Sequence, residues 1–173
     1  MLSKLVDFIL NKLFKFEPMI GIDSLFLKEN LYGAGCNTLG IWTTEKFEVD
    51  KMKAYIMDGI AGTIPGKQRT PRSKSKVIDM FGSSYWVQMT DKEWNLKKDA
   101  AFIQLENVHT MKEVEAKCAE LLAYKIDMYD NVPYRYFFIP DYSKTESMIF
   151  YMINHAYMDG VSYFPIMQAM NVD

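Results

Sequence analysis

Residues 147–153, SMIFYMI, form an apolar run with no polar residue in its interior, bounded by the polar turn 141–146 and by Asn154-His155. The run is too short for a buried helix, and a strand without polar alternation must be covered on both faces. It therefore belongs in the middle of a sheet. Residues 134–140, YRYFFIP, stand just before the turn and read as its hairpin neighbour. An interior strand requires layers on both sides. The expected architecture is an α/β (α+β) two-layer sandwich, with helices packed on a mixed, largely antiparallel sheet.

The rest of the chain supplies those layers. Residues 38–47, TLGIWTTEKF, are rich in β-branched and aromatic side chains and predict a strand. Asp50 is placed to cap a helix through about Gly62, with Met52, Tyr55, Ile56 and Ile60 on one face. Segments 77–80, 84–89 and 100–108 are further strand candidates, with Trp86 and Trp94 flanking a polar turn. Thr110 and Glu113 form a capping box for a helix to about residue 126, whose buried stripe is Val114, Cys118, Leu121 and Leu122.

Residues 1–16, MLSKLVDFILNKLFKF, predict an amphipathic helix closed by Glu17-Pro18. Leu2, Leu5, Val6, Ile9, Leu13 and Phe16 share one face, with Lys4, Asp7, Asn11 and Lys15 opposite. Polar residues interrupt the run too often for a bilayer span. It serves either as a membrane-interface helix or as one docked on the domain. A mitochondrial presequence is the third reading, against which Asp7 and the lack of arginine count. The organisation expected is a helix over 1–16 and one domain over 17–173.

Composition narrows the functional classes. Of 173 residues 49% are hydrophobic and 24% charged, which excludes a disordered tail. Twenty Lys plus Arg against 22 Asp plus Glu leave a net charge of -2, without the basic excess that nucleic acid demands. Thirteen Met, 11 Tyr and 11 Phe give a soft aromatic core suited to irregular shapes, long apolar ligands included; an AT-rich genome gives the same composition. Cys36 and Cys118 fit neither a disulfide framework nor a zinc spacing, so reduced thiols in an intracellular compartment are expected. Within 65–76, PGKQRTPRSKSK, the cations Lys67, Arg69, Arg72, Lys74 and Lys76 have no acidic neighbour. The segment is either a solvated loop or a contact for the phosphates of a ligand or an anionic lipid.

The chemistry concentrates at the end of the apolar strand, in Asn154-His155-Ala156-Tyr157-Met158-Asp159-Gly160. An imidazole at the mouth of an interior strand is rigidly held and can still face a cleft, as a general base must. Imidazole's ordinary pKa of about 6.5 leaves it mostly able to accept a proton at neutral pH. Asp159-Gly160 would turn the chain away, and Arg135, the one arginine in a neighbouring strand, is a candidate partner for Asp159. The alternative is a core histidine satisfied by main chain. His109 has no partner motif near it and reads as structural or exposed.

Asn154-His155-x-x-x-Asp159-Gly160-Val161-Ser162 resembles the HHxxxDG(I/V)S motif of the chloramphenicol acetyltransferase-like acyltransferases. Within them the chain is most similar to the amino-terminal half of the wax ester synthase/diacylglycerol acyltransferase family, from about Pro18 to Met170. Pro18 and the stretch Ile22-Asp23-Ser24-Leu25-Phe26-Leu27 resemble that family's opening P-x-D-x-x-F-L, and Val132-Pro133-Tyr134 a later proline motif. The resemblance implies that His155 is the general base in acyl transfer from acyl-coenzyme A to a fatty alcohol or diacylglycerol. It further implies structural roles for Asn154, Asp159 and Gly160, acyl-coenzyme A as substrate, and no bound cofactor or metal. Asn154 departs from the family by replacing the first histidine. Enzymes of the family build their tunnel between two similar halves, so a second half domain or a protein partner is expected to supply the other wall.

Two further readings stand beside this one. The chain could be a noncatalytic interaction or structural subunit that keeps the fold, or a homotrimer resembling chloramphenicol acetyltransferase. Under the enzymatic reading the protein works in the cytoplasm or at a peripheral membrane or lipid-droplet surface, held there by residues 1–16.

Overall fold

A computed structural model describes residues 2–19, 21–32, 37–61, 63–64, 67–68 and 71–158. In chain order it contains α1 (Leu2–Phe14), β1 (Glu17–Pro18), α2 (Ile22–Tyr32), β2 (Asn37–Glu45), α3 (Val49–Ala61), β3 (Thr63–Ile64) and β4 (Lys67–Gln68). Next come β5 (Ser75–Met80), β6 (Ser83–Gln88), α4 (Asp91–Lys97), β7 (Phe102–Gln104), α5 (Met111–Leu122), β8 (Tyr134–Ile139) and β9 (Glu146–Asn154). Short 3-10 turns at Pro71–Lys74 and Asp99–Ala101 precede β5 and β7.

The main sheet runs β2-β9-β8-β7, with the apolar run of β9 between two antiparallel neighbours. Only β7 pairs in parallel, so the sheet is mixed and largely antiparallel. Met148, Ile149, Phe150, Met152 and Ile153 are buried on alternating faces. Strand β8 is buried along its whole length. The α/β sandwich with packed helices is thus the observed architecture.

Register assigns the faces. Asn37, Leu39, Met152, Asn154 and Arg135 share one, against which α5 packs; Gly40, Trp42, Tyr151, Tyr134 and Tyr136 share the other. On that second face Phe102 stacks on Tyr136 and Phe138, with the Lys53 ammonium of α3 5.4 Å from its ring centre.

A second sheet, β1-β6-β5, was not expected. Strands β5 and β6 form a hairpin whose tip, Phe81-Gly82, has φ of 52° and 79°, the signature of a type I′ turn. β1 joins it through Glu17 and Pro18, opposite Trp86 and Tyr85. This corrects the reading of Pro18 as the terminator of the first helix. That helix ends at Phe14, because Lys15 turns left-handed (φ 58°) and the Phe16 N–H reaches the Leu10 carbonyl.

Other boundaries moved for local reasons. Helix α4 replaces the polar turn between the tryptophans: Thr90 caps it and Glu93 returns the bond to the Thr90 N–H, a full capping box. α5 has the predicted Thr110/Glu113 box but stops at Leu122, leaving Ile126 buried from the following loop. Asp50 sits inside the first turn of α3 rather than before it. The strand expected over 100–108 contracts to Phe102–Gln104.

Candidate functional site

Asn154 ends β9 and organises the turn beyond it. Its side chain is fully buried, and its Oδ1 accepts the Ala156 N–H at 2.9 Å while its carbonyl accepts from Tyr157 at 3.0 Å. These bonds fold 155–157 into a tight turn. The Asn154 amide reaches Asn37 Oδ1 at 3.5 Å across the strand pair, and the Asn37 amide donates to the Tyr124 carbonyl at 2.7 Å. The two asparagines thereby tie the turn to β2 and to the chain just past α5.

His155 projects from this turn and is half-buried. Its ring packs on Phe26 of α2, with centroids 4.2 Å apart and planes at 44°. Nδ1 is buried and has no hydrogen-bond partner among the described residues. Among the described residues no main-chain group satisfies Nδ1. Phe26 and the turn fix its plane, and no hydrogen bond from the described residues to Nδ1 fixes its tautomer.

Behind the turn lies an aromatic cluster that sequence reasoning did not single out. Tyr157 contacts Trp86 at 6.5 Å and Tyr134 at 6.1 Å between ring centroids. Trp86 Nε1 and the Tyr134 hydroxyl are buried without hydrogen-bond partners among the described residues. Burial, with Tyr157 and Tyr136 beside it, pushes the Tyr134 phenol well above its ordinary range, so it stays protonated. Tyr157 lies inside the histidine motif, and that position was the available signal.

Arg135 is buried in β8, opposite Met152 of β9. Its Nη1 donates to the carbonyls of Val132 (3.2 Å) and Tyr134 (2.7 Å). Burial lowers its pKa from the ordinary arginine value, while neighbours led by Tyr124 act in the opposite sense. The expected partner Asp159, the turn residue Gly160 and the segment beyond lie outside the described residues.

The basic segment 65–76 divides. Arg72 Nε donates to Glu17 Oε1 at 3.1 Å, its Nη1 to Asp23 Oδ2 at 2.9 Å, and its guanidinium stands 5.5 Å from the Trp86 ring centre. Burial draws the Arg72 pKa down, and the Glu17 and Asp23 carboxylates more than reverse it. Lys76 pairs with Glu93 at 2.6 Å, and Lys74 stands over Trp94. These three cations brace the second sheet and α4, and the segment after β4 is a 3-10 turn and a strand rather than the loop expected. Arg69 and the side chain of Lys67 lie outside the described residues.

His109 is exposed, with Nδ1 2.9 Å from the Asp141 carbonyl, beside a cavity of about 270 Å³ lined in part by Asn107, Ile139 and Asp141. Cys118 is a free, half-buried thiol whose pKa is raised by burial and by Glu115; Cys36 is outside the described residues. Among the described residues no group of three or more His, Cys, Asp and Glu could hold a metal ion, and no helix is long and apolar enough to cross a membrane.

With this geometry in place, the fold is that of a chloramphenicol acetyltransferase-like half domain, as found in condensation domains. The starter condensation domain of the rhizomide synthetase RzmA superposes with a TM-score of 0.67 at 13% identity, over 90% of this chain and 36% of that one. The tallysomycin biosynthesis protein TlmII gives 0.62 at 12%, over 90% and 36%. SgcC5 from Streptomyces globisporus gives 0.62 at 10%, over 80% and 30%. The chain thus spans about a third of the length of these structures. Another structure of the RzmA domain is a complex with C8-CoA. No protein-family model and no curated protein sequence matches the chain.

Proposed function

We propose that the chain is half of an acyltransferase in which His155 is the general base, moving an acyl group from acyl-coenzyme A to a lipid alcohol. The observation that carries the reading is the half-buried His155 ring, packed on Phe26 at the end of an interior strand, with no main-chain bond to Nδ1 among the described residues. Because Nδ1 is buried, Nε2 is the nitrogen available to a substrate hydroxyl. It would take the hydroxyl proton as the alcohol oxygen attacks the thioester carbonyl. The C–S bond then breaks, and the departing thiolate takes the proton from the imidazolium, leaving an ester and free coenzyme A. No covalent acyl-enzyme is needed, since proximity in a ternary complex and a good leaving group suffice.

Likeness to condensation domains in fold, one of them crystallised with C8-CoA, supports acyl-coenzyme A as donor. A fatty alcohol or diacylglycerol as acceptor rests on the resemblance to the wax ester synthase/diacylglycerol acyltransferase family. Asp159 would brace the turn, with Arg135 in the adjacent strand as its counter-charge, and Gly160 would let the chain turn tightly beside the substrate. The second wall of the tunnel would come from a second half domain or a partner.

The test is release of coenzyme A thiol from a long-chain acyl thioester with and without hexadecanol, comparing wild type with His155→Ala. Alcohol-dependent thiol release is expected to fall by about 10²–10⁴-fold in the variant, the usual contribution of a general base. Equal rates for the two proteins, at the level without protein, would remove the enzymatic reading.

A further inference from the structure

The first helix is fixed to the body by its narrow side. Leu10 is buried, and the Asp7 carboxylate accepts the Tyr85 hydroxyl at 2.7 Å, with Phe16 packed 6.5 Å from the same ring. Leu5, Ile9 and Leu13 of the apolar stripe face outward, while Val6 and Phe16 are half-buried. Leu5, Ile9 and Leu13 are 54%, 41% and 71% exposed, and Phe8 and Phe14 are 60% and 59% exposed. At 100° per residue Leu5, Ile9 and Leu13 fall within an arc of about 80°. Lys12 borders it and Lys15 and Lys4 follow farther round on the same side, all exposed and none in an ion pair among the described residues. Asp7 is the one acidic residue of 1–16, and Tyr85 holds it against the body.

We infer that α1 is a docking face for an anionic phospholipid surface, lying in the plane of the headgroups. Its 13 residues reach about 20 Å at 1.5 Å each, too short to cross a hydrocarbon layer of about 30 Å. Apolar side chains with exposed lysines along one side, and no outward carboxylate, match such a surface in shape and in charge. A second copy of the chain fits poorly, because a two-fold pairing through this face would bring lysines against lysines. The inference is independent of the proposed catalysis.

The experiment is flotation of the full chain with phosphatidylcholine vesicles, with and without about 30 mol% phosphatidylserine. Binding is expected with phosphatidylserine, with strong weakening at high salt. Ile9→Asp/Leu13→Asp should reduce it at least tenfold, and Lys4→Gln/Lys12→Gln/Lys15→Gln about tenfold or more. All five side chains are exposed, so circular dichroism and the melting temperature should stay at wild type. Failure of the wild type to float, flotation indifferent to phosphatidylserine and salt, or wild-type flotation by the variants would overturn the inference. So would a solution dimer that Ile9→Asp/Leu13→Asp converts to monomer without altering flotation. No thioester enters the assay, so its failure leaves the acyltransferase reading to its own test.

Discussion

The ring of Tyr151 occupies the space in which Gly40 would carry a side chain, and the two are direct partners in the β2–β9 register. A Cβ at Gly40 would overlap Cζ, Cε1 and Oη of that ring. Trp42, 5.0 Å away on the same strand as Gly40, and Tyr136, 6.4 Å away in β8, hold the ring over the glycine. The bare backbone is what lets three aromatic residues from three strands close this face of the sheet.

Gly40→Ala is therefore expected to destabilise the fold by about 1–3 kcal/mol, the usual cost of overpacking. In a Tyr151→Leu background the same change should cost markedly less, because the atoms it meets are gone. Urea denaturation of the four proteins checks both statements. Equal costs in the two backgrounds would mean that the ring is not what the alanine meets.

Phe26 packs on the His155 ring, and in the proposed reaction it would position the imidazole. Phe26→Ala should lower the turnover of the proposed reaction by about 10–100-fold through misplacement of the imidazole, with Phe26→Leu intermediate. The KM for the thioester should change less than kcat. A loss confined to KM would place Phe26 in substrate binding instead.

Arg72 links β1 and α2 to the turn before β5 through a fork shared by two carboxylates. Lysine keeps the charge and loses the fork. Arg72→Lys should cost about 1–2 kcal/mol in urea denaturation, as expected for lost hydrogen bonds to charged groups. Stability equal to wild type would show that charge alone is enough.

Glu93 is held at a pKa of about 2, below its ordinary 4.5, by Lys76 first and then by the Thr90 N–H. A depressed folded-state value stabilises the native state above the unfolded-state pKa, and that contribution fades as pH falls from about 4.5 through about 2. Glu93→Gln should flatten the decline of melting temperature across this window. An unchanged acid limb would assign the decline to other carboxylates.

Local signals were legible where they were complete. The apolar run of β9, the β-branched residues of β2 and the Thr110/Glu113 box each carry their cause within a few residues, and each element formed where its signal stands. α4 is seven residues long, too short for a periodicity window, although Thr90 and Glu93 announce it. α2 has no strong stripe, and β1 exists only because residues far along the chain pair with it. Distance also explains the basic segment. The acidic partners Glu17 and Asp23 lie 55 and 49 residues before Arg72, so an arginine without a carboxylate near it in sequence is paired in space. The apolar stripe of α1 left a docked and an interfacial helix equally open, because the contacts that orient it, the bond to Tyr85 and the buried Leu10, are made with distant residues or lie off the stripe. At the candidate site the motif points to the turn that ends β9, where His155 stands, whereas the contact of Phe26 with its ring joins residues far apart in the chain and has no local signal.

The asparagine that closes β9 has a thermal consequence. Since Asn154 joins the histidine turn to Asn37, and Asn37 joins Tyr124 just past α5, that turn has no hinge of its own on the strand side. Warming should not melt it ahead of the sheet. Heat inactivation and loss of secondary structure would then coincide in one cooperative event, with no warm, folded and disarmed state between them.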